Sequence, residues 1–355
     1  MESSDNRWLI LGGVGYIGRN LVKYLVDNNI SPHIVVADKA IPEISKFHPI
    51  YDAAFADPRV ERIQVDLSRN PAKAFAQPYS VVVNLTGENR PTASEEAYDR
   101  NILAVVRECT PLAQSAKWVE ISTGQVYKPD KTPAKENAKL EPWTKQAEYR
   151  LRAERIVSTI NSAILRVPMV YGNTDLNSLS NFYIAMLLTI SRVHAHQGKK
   201  MKLLWSDDLR THSLHVLDLC RAIHHAVSLN GVYNVVDEAG TTQGNVCSLM
   251  SEIFGIKHSF FGRMMSKMVP LSWVVDEVNG KYAGTWDEIC ENYGIEKDLT
   301  PLFNQDRFKG SHLSLDGKAF KDTGFRYEYP TITQEEVLKQ ITMLQELRIF
   351  PPISS

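Results

Sequence analysis

Long apolar runs are missing from this chain of 355 residues: the longest, such as Phe182–Ile190, fall well short of the ~20 residues a bilayer crossing needs. The opening MESSDNRWLILGG has no basic stretch leading into a long apolar one, so no secretory leader is expected. Cysteine is scarce. Cys109, Cys220, Cys247 and Cys290 are scattered, and no two have the spacing of a metal knuckle or a redox motif. Four reduced thiols in a cytoplasmic protein are the expectation. Neither sign of charge dominates, the formal net charge being −1, so the bulk electrostatics point to neither nucleic acid nor an anionic membrane. Internal repeats and low-complexity tracts are absent, and the closing PPISS is expected to be a loose tail. What is present is ordinary globular composition, 43% hydrophobic and 23% charged, enough for a sizeable core in one large and one smaller domain.

The first 175 residues alternate short β-branched runs with amphipathic stretches, which predicts α/β architecture: a doubly wound parallel sheet of the Rossmann type. Strands are expected at Trp8–Leu11, His33–Ala37, Arg62–Val65, Ser80–Leu85, Trp118–Ser122 and Ala163–Val167. Helices are expected over about Tyr16–Asn28, Glu95–Ser115 and Thr144–Asn161. Residues 1–175 read as the cofactor domain, with a segment near 205–237 returning to it. Residues 176–355 read mainly as a smaller α/β substrate-side domain.

Gly12, Gly15 and Gly18 form Gly-x-x-Gly-x-x-Gly between the first strand and the first helix, with Tyr16 and Ile17 before the last glycine. Such a turn lets backbone approach a pyrophosphate and offers it the free N–H groups of a helix N-terminus. Asp38 follows 20 residues past Gly18, at the end of the second strand. A carboxylate there accepts from the adenosine ribose hydroxyls and repels a 2′-phosphate, so NAD is the expected cofactor and is preferred over NADP. Lys39, beside it, leaves some room for NADP.

Together these residues resemble the extended short-chain dehydrogenases, the NAD-dependent epimerase/dehydratase family, and the likeness runs on for about 240 residues. Asp66–Leu67 looks like the family's adenine-contacting pair, and Asn84–Leu85–Thr86–Gly87 like the segment lying against the cofactor. Asn101 matches a helix asparagine that supports the active site. Thr123, in ISTGQVY, stands where the catalytic Ser or Thr sits. Leu165–Arg166–Val167–Pro168 and Val170–Tyr171–Gly172 match the sixth strand and the loop beyond the nicotinamide. His215–Val216–Leu217–Asp218 and Asn234 complete the order, His215 reading as a buried structural histidine. By resemblance, the cofactor contacts are Gly12, Gly15, Tyr16, Ile17, Gly18, Asp38, Asp66, Leu67, Leu85, Thr86, Gly87, Arg150, Pro168 and Val170.

The family's Tyr-x-x-x-Lys pair sets a phenol and an ammonium on one helix face, the lysine lowering the tyrosine pKa for proton transfer. Pro142, four before the tyrosine slot, and Glu154, four after the lysine slot, place those slots at Gln146 and Arg150. A glutamine cannot ionise, although it can hydrogen-bond a substrate oxygen. An arginine keeps charge and donors, enough to clamp the nicotinamide ribose, and stays protonated. Tyr149, about 60° from the Gln146 direction, forms with Lys145 a substitute dyad in reversed order, or else packs in a helix–helix homodimer interface with Lys145 in solvent; the second reading is favoured. The dehydratase branch carries an Asp–Glu pair where this chain has Gly124–Gln125, which argues against dehydration.

Other features are weaker. His194 and His196 lack a third ligand nearby, so a solvated loop is expected rather than a metal site. Arg210 falls where the family often places an arginine for a substrate phosphate, the alternative being a surface residue near Asp207 and Asp208. Phe260–Val275, rich in Met and aromatics, reads as core, with a pocket lining or a protein contact as alternatives. The candidate catalytic set is Thr123, Gln146, Arg150 and Tyr149, acting on a small organic substrate. A catalytically inactive NAD-binding relative with a regulatory or scaffolding role is the alternative. Glu88, Asn89 and Arg90 facing Thr123 would favour the enzyme, and a crevice plugged by Trp143 or Phe182 the alternative.

Overall fold

The alternating pattern does fold as one parallel sheet. The computed structural model describes residues 6–41, 48–90, 93–113, 115–173, 182–268, 270–299, 301 and 310–353. In its first half, β1 (Arg7–Leu11) leads through the glycine turn to α1 (Tyr16–Asp27), then β2 (His33–Asp38), α2 (Asp52–Phe55), β3 (Val60–Gln64) and β4 (Val81–Asn84). There follow α3 (Glu95–Tyr98), α4 (Val105–Cys109), β5 (Lys117–Thr123), α5 (Lys145–Val157), β6 (Ser162–Val167) and β7 (Met169–Tyr171). The second half runs α6 (Phe182–His196), β8 (Met201–Leu203), β9 (Ser213–His215), α7 (Val216–Ala226), β10 (Gly231–Asn234) and α8 (Gln243–Phe254). It closes with β11 (His258–Phe260), α9 (Arg263–Met268), α10 (Leu271–Tyr293), α11 (Lys318–Asp322) and α12 (Gln334–Glu346).

Seven strands pair in the order β10-β6-β5-β4-β1-β2-β3, all parallel. β4 and β6 are buried along their whole length, as expected of strands covered on both faces by apolar layers. The edge strand β3, VERIQ, is largely exposed and carries charge, which blunts a free edge. The strand order reverses between β1 and β4, so a crevice opens beyond their carboxyl ends. A second core gathers α6, α8, α10 and α12 around Ile184, Leu188, Val246, Trp286 and Ile341.

Three expectations need correction. The stretch Glu95–Ser115 is not one helix: Ser94 caps α3, a π-helical turn spans Asp99–Ala104, and the chain leaves α4 by a 3-10 turn containing Pro111. His194 and His196 end α6 rather than sit in a loop; His194 is buried with Nε2 2.8 Å from the Tyr282 hydroxyl. The C-terminal segment is not loose up to residue 353, since Pro351 is buried and accepts a hydrogen bond from Gln345; Ser354 and Ser355 lie outside the described residues.

Candidate active site

The glycine turn is held together by the protein itself at two of its three glycines. Gly12 has φ +75°, and a Cβ there would lie 2.9–3.1 Å from the backbone of Leu85 and Thr86. A Cβ at Gly18 would lie 2.5–2.6 Å from the backbone of Gly13. Gly15 is different: it is exposed at the N-cap of α1, with φ −67°, and a Cβ would meet only the Gly12 carbonyl oxygen, at 3.3 Å. The fold does not require a glycine there, so the space over Gly15 fits a ligand that approaches the backbone closely.

An elongated cleft of about 380 Å³ runs from this turn across the carboxyl ends of β1, β2 and β4. Gly12, Gly15, Tyr16, Ile17, Gly18, Asp38, Asp66, Leu67, Leu85, Thr86 and Gly87, all expected cofactor contacts, line it. Asp38 accepts the Val14 N–H at 3.1 Å and the Ala40 N–H at 3.0 Å; burial raises its pKa, and the two N–H groups oppose this. Asp66 is held low by the Ser68 hydroxyl at 2.6 Å. Lys39 donates to Asn101 at 3.2 Å, and Asn101 in turn donates to Glu88 at 3.0 Å. Asn101 therefore sits in the π-helical turn, a place where helices commonly carry functional groups.

A second cavity, about 250 Å³, adjoins the first and shares Ile17, Leu85 and Asn89 with it. Thr123, Gln146, Arg150, Pro168 and Val170 line this one, together with Arg210, Trp143, Trp205 and Met186. Trp143 forms wall and does not fill the space; the Phe182 side chain lies outside the described residues. Asn89 faces the cavity with Thr123, whereas Glu88 and Arg90 pair with each other at 2.8 Å. Thr144 caps α5 and its hydroxyl donates to Gln125 at 2.8 Å, so α5 starts at the cavity rim. Within that first turn, Gln146 donates to Asn89.

Arg150 is the best-held side chain of the site. Its guanidinium donates to the Thr86 carbonyl at 2.8 Å and lies 3.5 Å from Glu120. A Cβ at Gly87 would collide with it, so that glycine keeps the passage open. Glu120 was not among the sequence candidates. It is fully buried in β5, accepts from Asn84 at 2.9 and 3.1 Å and from the Trp118 indole at 2.9 Å, and burial pushes its carboxyl up to about 7 against the pull of Arg150. The signal was a lone acid inside an apolar parallel strand, Lys-Trp-Val-Glu-Ile.

Tyr149, expected among the catalytic candidates, lines neither cavity. It stacks on Tyr98 at 5.6 Å, lies under Arg152, and reaches only Glu95, at 3.5 Å. It is buried within its own chain, which corrects the expectation of an interface residue. Lys145 pairs with Glu95 at 3.0 Å and Glu148 at 3.2 Å, and these partners raise its pKa.

Several residues that carried the resemblance form a buried scaffold instead. Arg166 grips Glu154 at 2.6 Å and the Tyr127 hydroxyl at 2.7 Å; Tyr127 donates to Asn234, and Ser122 to Glu154. His215 is fully buried, accepts the Leu217 N–H, and is pushed down to about 4 by burial, hence neutral at pH 7. Leu313 and Leu315 fill the space beside Gly124, where a Cβ would lie 2.8 Å from Leu315. Arg210 donates to the Gly240 carbonyl at 2.7 Å, while its buried Nε has no partner among the described residues. No group of three metal-ligating side chains occurs among the described residues. Phe260 packs against the second core as expected, but Phe261, Met264, Met265 and Met268 are exposed, and none of Phe260–Met268 lines either cavity; Val269 and the Leu271–Val275 side chains lie outside the described residues.

A doubly wound sheet with a glycine turn at its switch point and a cavity beside it defines a dinucleotide-binding α/β protein. The profile of the NAD dependent epimerase/dehydratase family matches residues 8–235, and the chain belongs to that family. An uncharacterized protein of Schizosaccharomyces pombe is 22% identical over 379 residues, covering 92% of this chain and 94% of its own. Among solved structures, the UDP-N-acetylglucosamine 4-epimerase of Methanobrevibacter ruminantium, in complex with UDP-N-acetylmuramic acid, superposes with TM-score 0.68 at 15% identity, over 96% of this chain and 99% of that one. The UDP-glucuronic acid 4-epimerase of Bacillus cereus, with UDP-glucuronic acid and NAD, gives 0.64 at 16% identity over the same shares. No described helix is long and apolar enough to cross a membrane.

Proposed function

We propose that this protein binds NAD, in preference to NADP, along the elongated cleft and acts in the adjoining cavity on a small organic molecule without the family's tyrosine–lysine pair. The observation that carries this reading is that the two cavities adjoin, sharing Ile17, Leu85 and Asn89 as walls, with Arg150, which lines the second, bonded to the carbonyl of Thr86, which lines the first. The α1 N-terminus would face the pyrophosphate, Asp38 the adenosine ribose and Asp66–Leu67 the adenine. Arg150 would hold the nicotinamide ribose, with Pro168 and Val170 as wall. Bound NAD supplies a hydride acceptor. The chain's own part is positioning: Thr123 and Gln146 hydrogen-bond a substrate oxygen, and Arg210 takes an anionic group. Residues 1–175, with 205–237, form the cofactor domain in this reading, and the remainder mainly covers the substrate.

One observation favours a second reading, an inactive NAD-binding relative. Among the described residues lining the substrate cavity there is no carboxylate, imidazole or thiol; its ionisable side chains are Tyr98, Lys145, Arg150 and Arg210. Tyr98 donates its hydroxyl to the Arg90 carbonyl at 2.7 Å and Lys145 is paired with Glu95 and Glu148, so general acid–base catalysis there would need one of them to leave its partner, or else substrate groups or water. Incubation with NAD and the sugar nucleotides held by the structural neighbours, UDP-glucuronic acid and UDP-N-acetylmuramic acid, separates the readings. Reduced nicotinamide or a new epimer supports the enzyme, and tight NAD binding with neither product supports the inactive relative.

A further inference from the structure

The chain is close to neutral as a whole, yet two short segments depart from that balance. Residues 199–202, Lys-Lys-Met-Lys, and 257–268, Lys-His-Ser-Phe-Phe-Gly-Arg-Met-Met-Ser-Lys-Met, contain no acidic residue. Their cations are Lys199, Lys200, Lys202, Lys257, Arg263 and Lys267. Folding brings the segments together: β8 pairs with β11, Met201 opposite His258 and Leu203 opposite Phe260. Met201 and Leu203 turn into the second core while Lys202 turns outward, its ammonium 4.0 Å from the centre of the Phe261 ring. Beyond β11, α9 buries Ser266 and exposes the other side. Met264, Met265 and Met268 are 78%, 54% and 74% exposed, and Phe261 42%. Only seven large apolar side chains are exposed among the described residues, and these are four of them within eight positions. They form a patch rather than a scatter.

We infer that this β11–α9 patch is a peripheral docking surface for an anionic lipid bilayer. Flexible methionines and a phenylalanine enter the acyl boundary while Lys202, over the Phe261 ring, and Lys267, on α9, meet anionic headgroups, with Lys199, Lys200 and Lys257 at the far end of the β8–β11 pair adding to the positive field. Pairing with a second copy through the same patch would set Lys202 and Lys267 of each copy against those of the other, which opposes self-association. Arg263 is partly engaged already, 3.6 Å from Asp208. The patch is tied to the substrate cavity through Trp205, a cavity-lining residue whose carbonyl accepts from Gly262 and whose N–H donates to Ser266, each at 2.7 Å. Docking therefore brings a wall of that cavity to the membrane surface. The inference does not depend on NAD binding.

Co-sedimentation of the full chain with two kinds of vesicle tests it: phosphatidylcholine alone, and phosphatidylcholine with one phosphatidylserine in three lipids. The expected result is binding to the anionic vesicles that falls with added salt, and weak binding to the neutral ones. Met264→Asp with Met268→Asp, and separately Lys202→Glu with Lys267→Glu, should each weaken that binding about tenfold or more, with thermal unfolding unchanged. The inference is overturned by absent binding to the anionic vesicles, by equal binding to both kinds, or by variants that bind as the parent does. Vesicle-free self-association that Met264→Asp abolishes would also overturn it, assigning the patch to a second copy.

Discussion

Substituting Gly15 separates what the fold needs from what a dinucleotide needs. At Gly12, alanine would adopt φ +75° and press against three backbone atoms within 3.1 Å. Strain of that kind costs about 1–3 kcal/mol of stability. At Gly15 the backbone is already extended, and the only contact for a new Cβ is one carbonyl oxygen at 3.3 Å. Gly15→Ala should therefore cost only the poorer N-cap, about 0.5–1 kcal/mol. The methyl group would nonetheless stand in the open space over the turn, where the proposed reading puts the pyrophosphate. Displacing a phosphate oxygen from one charge-assisted N–H loses about 1.5–3 kcal/mol, roughly 10–150-fold in Kd. The branched side chain of Gly15→Val should abolish binding. Thermal unfolding and calorimetric titration with NAD read the two effects independently. Gly15→Val binding NAD as tightly as the parent would refute the placement of the pyrophosphate, and Gly15→Ala unfolding like Gly12→Ala would show that the fold itself demands the glycine.

Titration with NAD and NADP should show tighter binding of NAD if the Asp38 carboxylate, which lines the cleft, takes the adenosine ribose as proposed; equal or tighter NADP binding would overturn that assignment. Tyr149→Phe should leave any turnover within a few-fold of the parent, whereas removing a working general acid–base would cost about 10²–10⁴-fold. Arg150→Ala and Thr123→Val should weaken cofactor or substrate binding, and unchanged behaviour of both would favour the inactive relative. Glu120 gives a pH signature. Its folded pKa, about 7, stands above its ordinary 4.5, so the native state binds the extra proton. Its contribution to stability is present below about pH 4.5 and is lost as pH rises through about 7. Urea unfolding of Glu120→Gln should lack that decline between about pH 5 and 7, and parallel pH profiles for parent and variant would contradict the burial of an ionisable acid there.

The strands β1, β2, β4, β5 and β6 were legible because each is a short, mostly apolar run next to a turn, as a parallel sheet covered on both faces needs. The charged edge strand β3 begins two residues before its expected place, and the other edge, β10, was not among the expected strands. The π-helical turn at Asn101 was not, because the apolar spacing of Glu95–Ser115 satisfies a continuous helix; only Pro111 hinted at an interruption. His194 and His196 read as loop because α6 is apolar nearly all round, leaving no periodicity to mark its end. Gln146 and Arg150 could be placed by counting from Pro142 and Glu154, and both line the cavity. Glu120 could not be found that way. Its importance comes from the partner that folding brings against it, Arg150, thirty positions along the chain.

A crystal structure of the protein with NAD tests the central claim most directly. The nicotinamide riboside should lie at the junction of the two cavities. Arg150 should lie within about 3.5 Å of the ribose hydroxyls, Thr123 and Gln146 should face the nicotinamide, and the Tyr149 phenol should stay against Tyr98. A Tyr149 hydroxyl swung to the nicotinamide, or NAD bound away from Arg150, would contradict it.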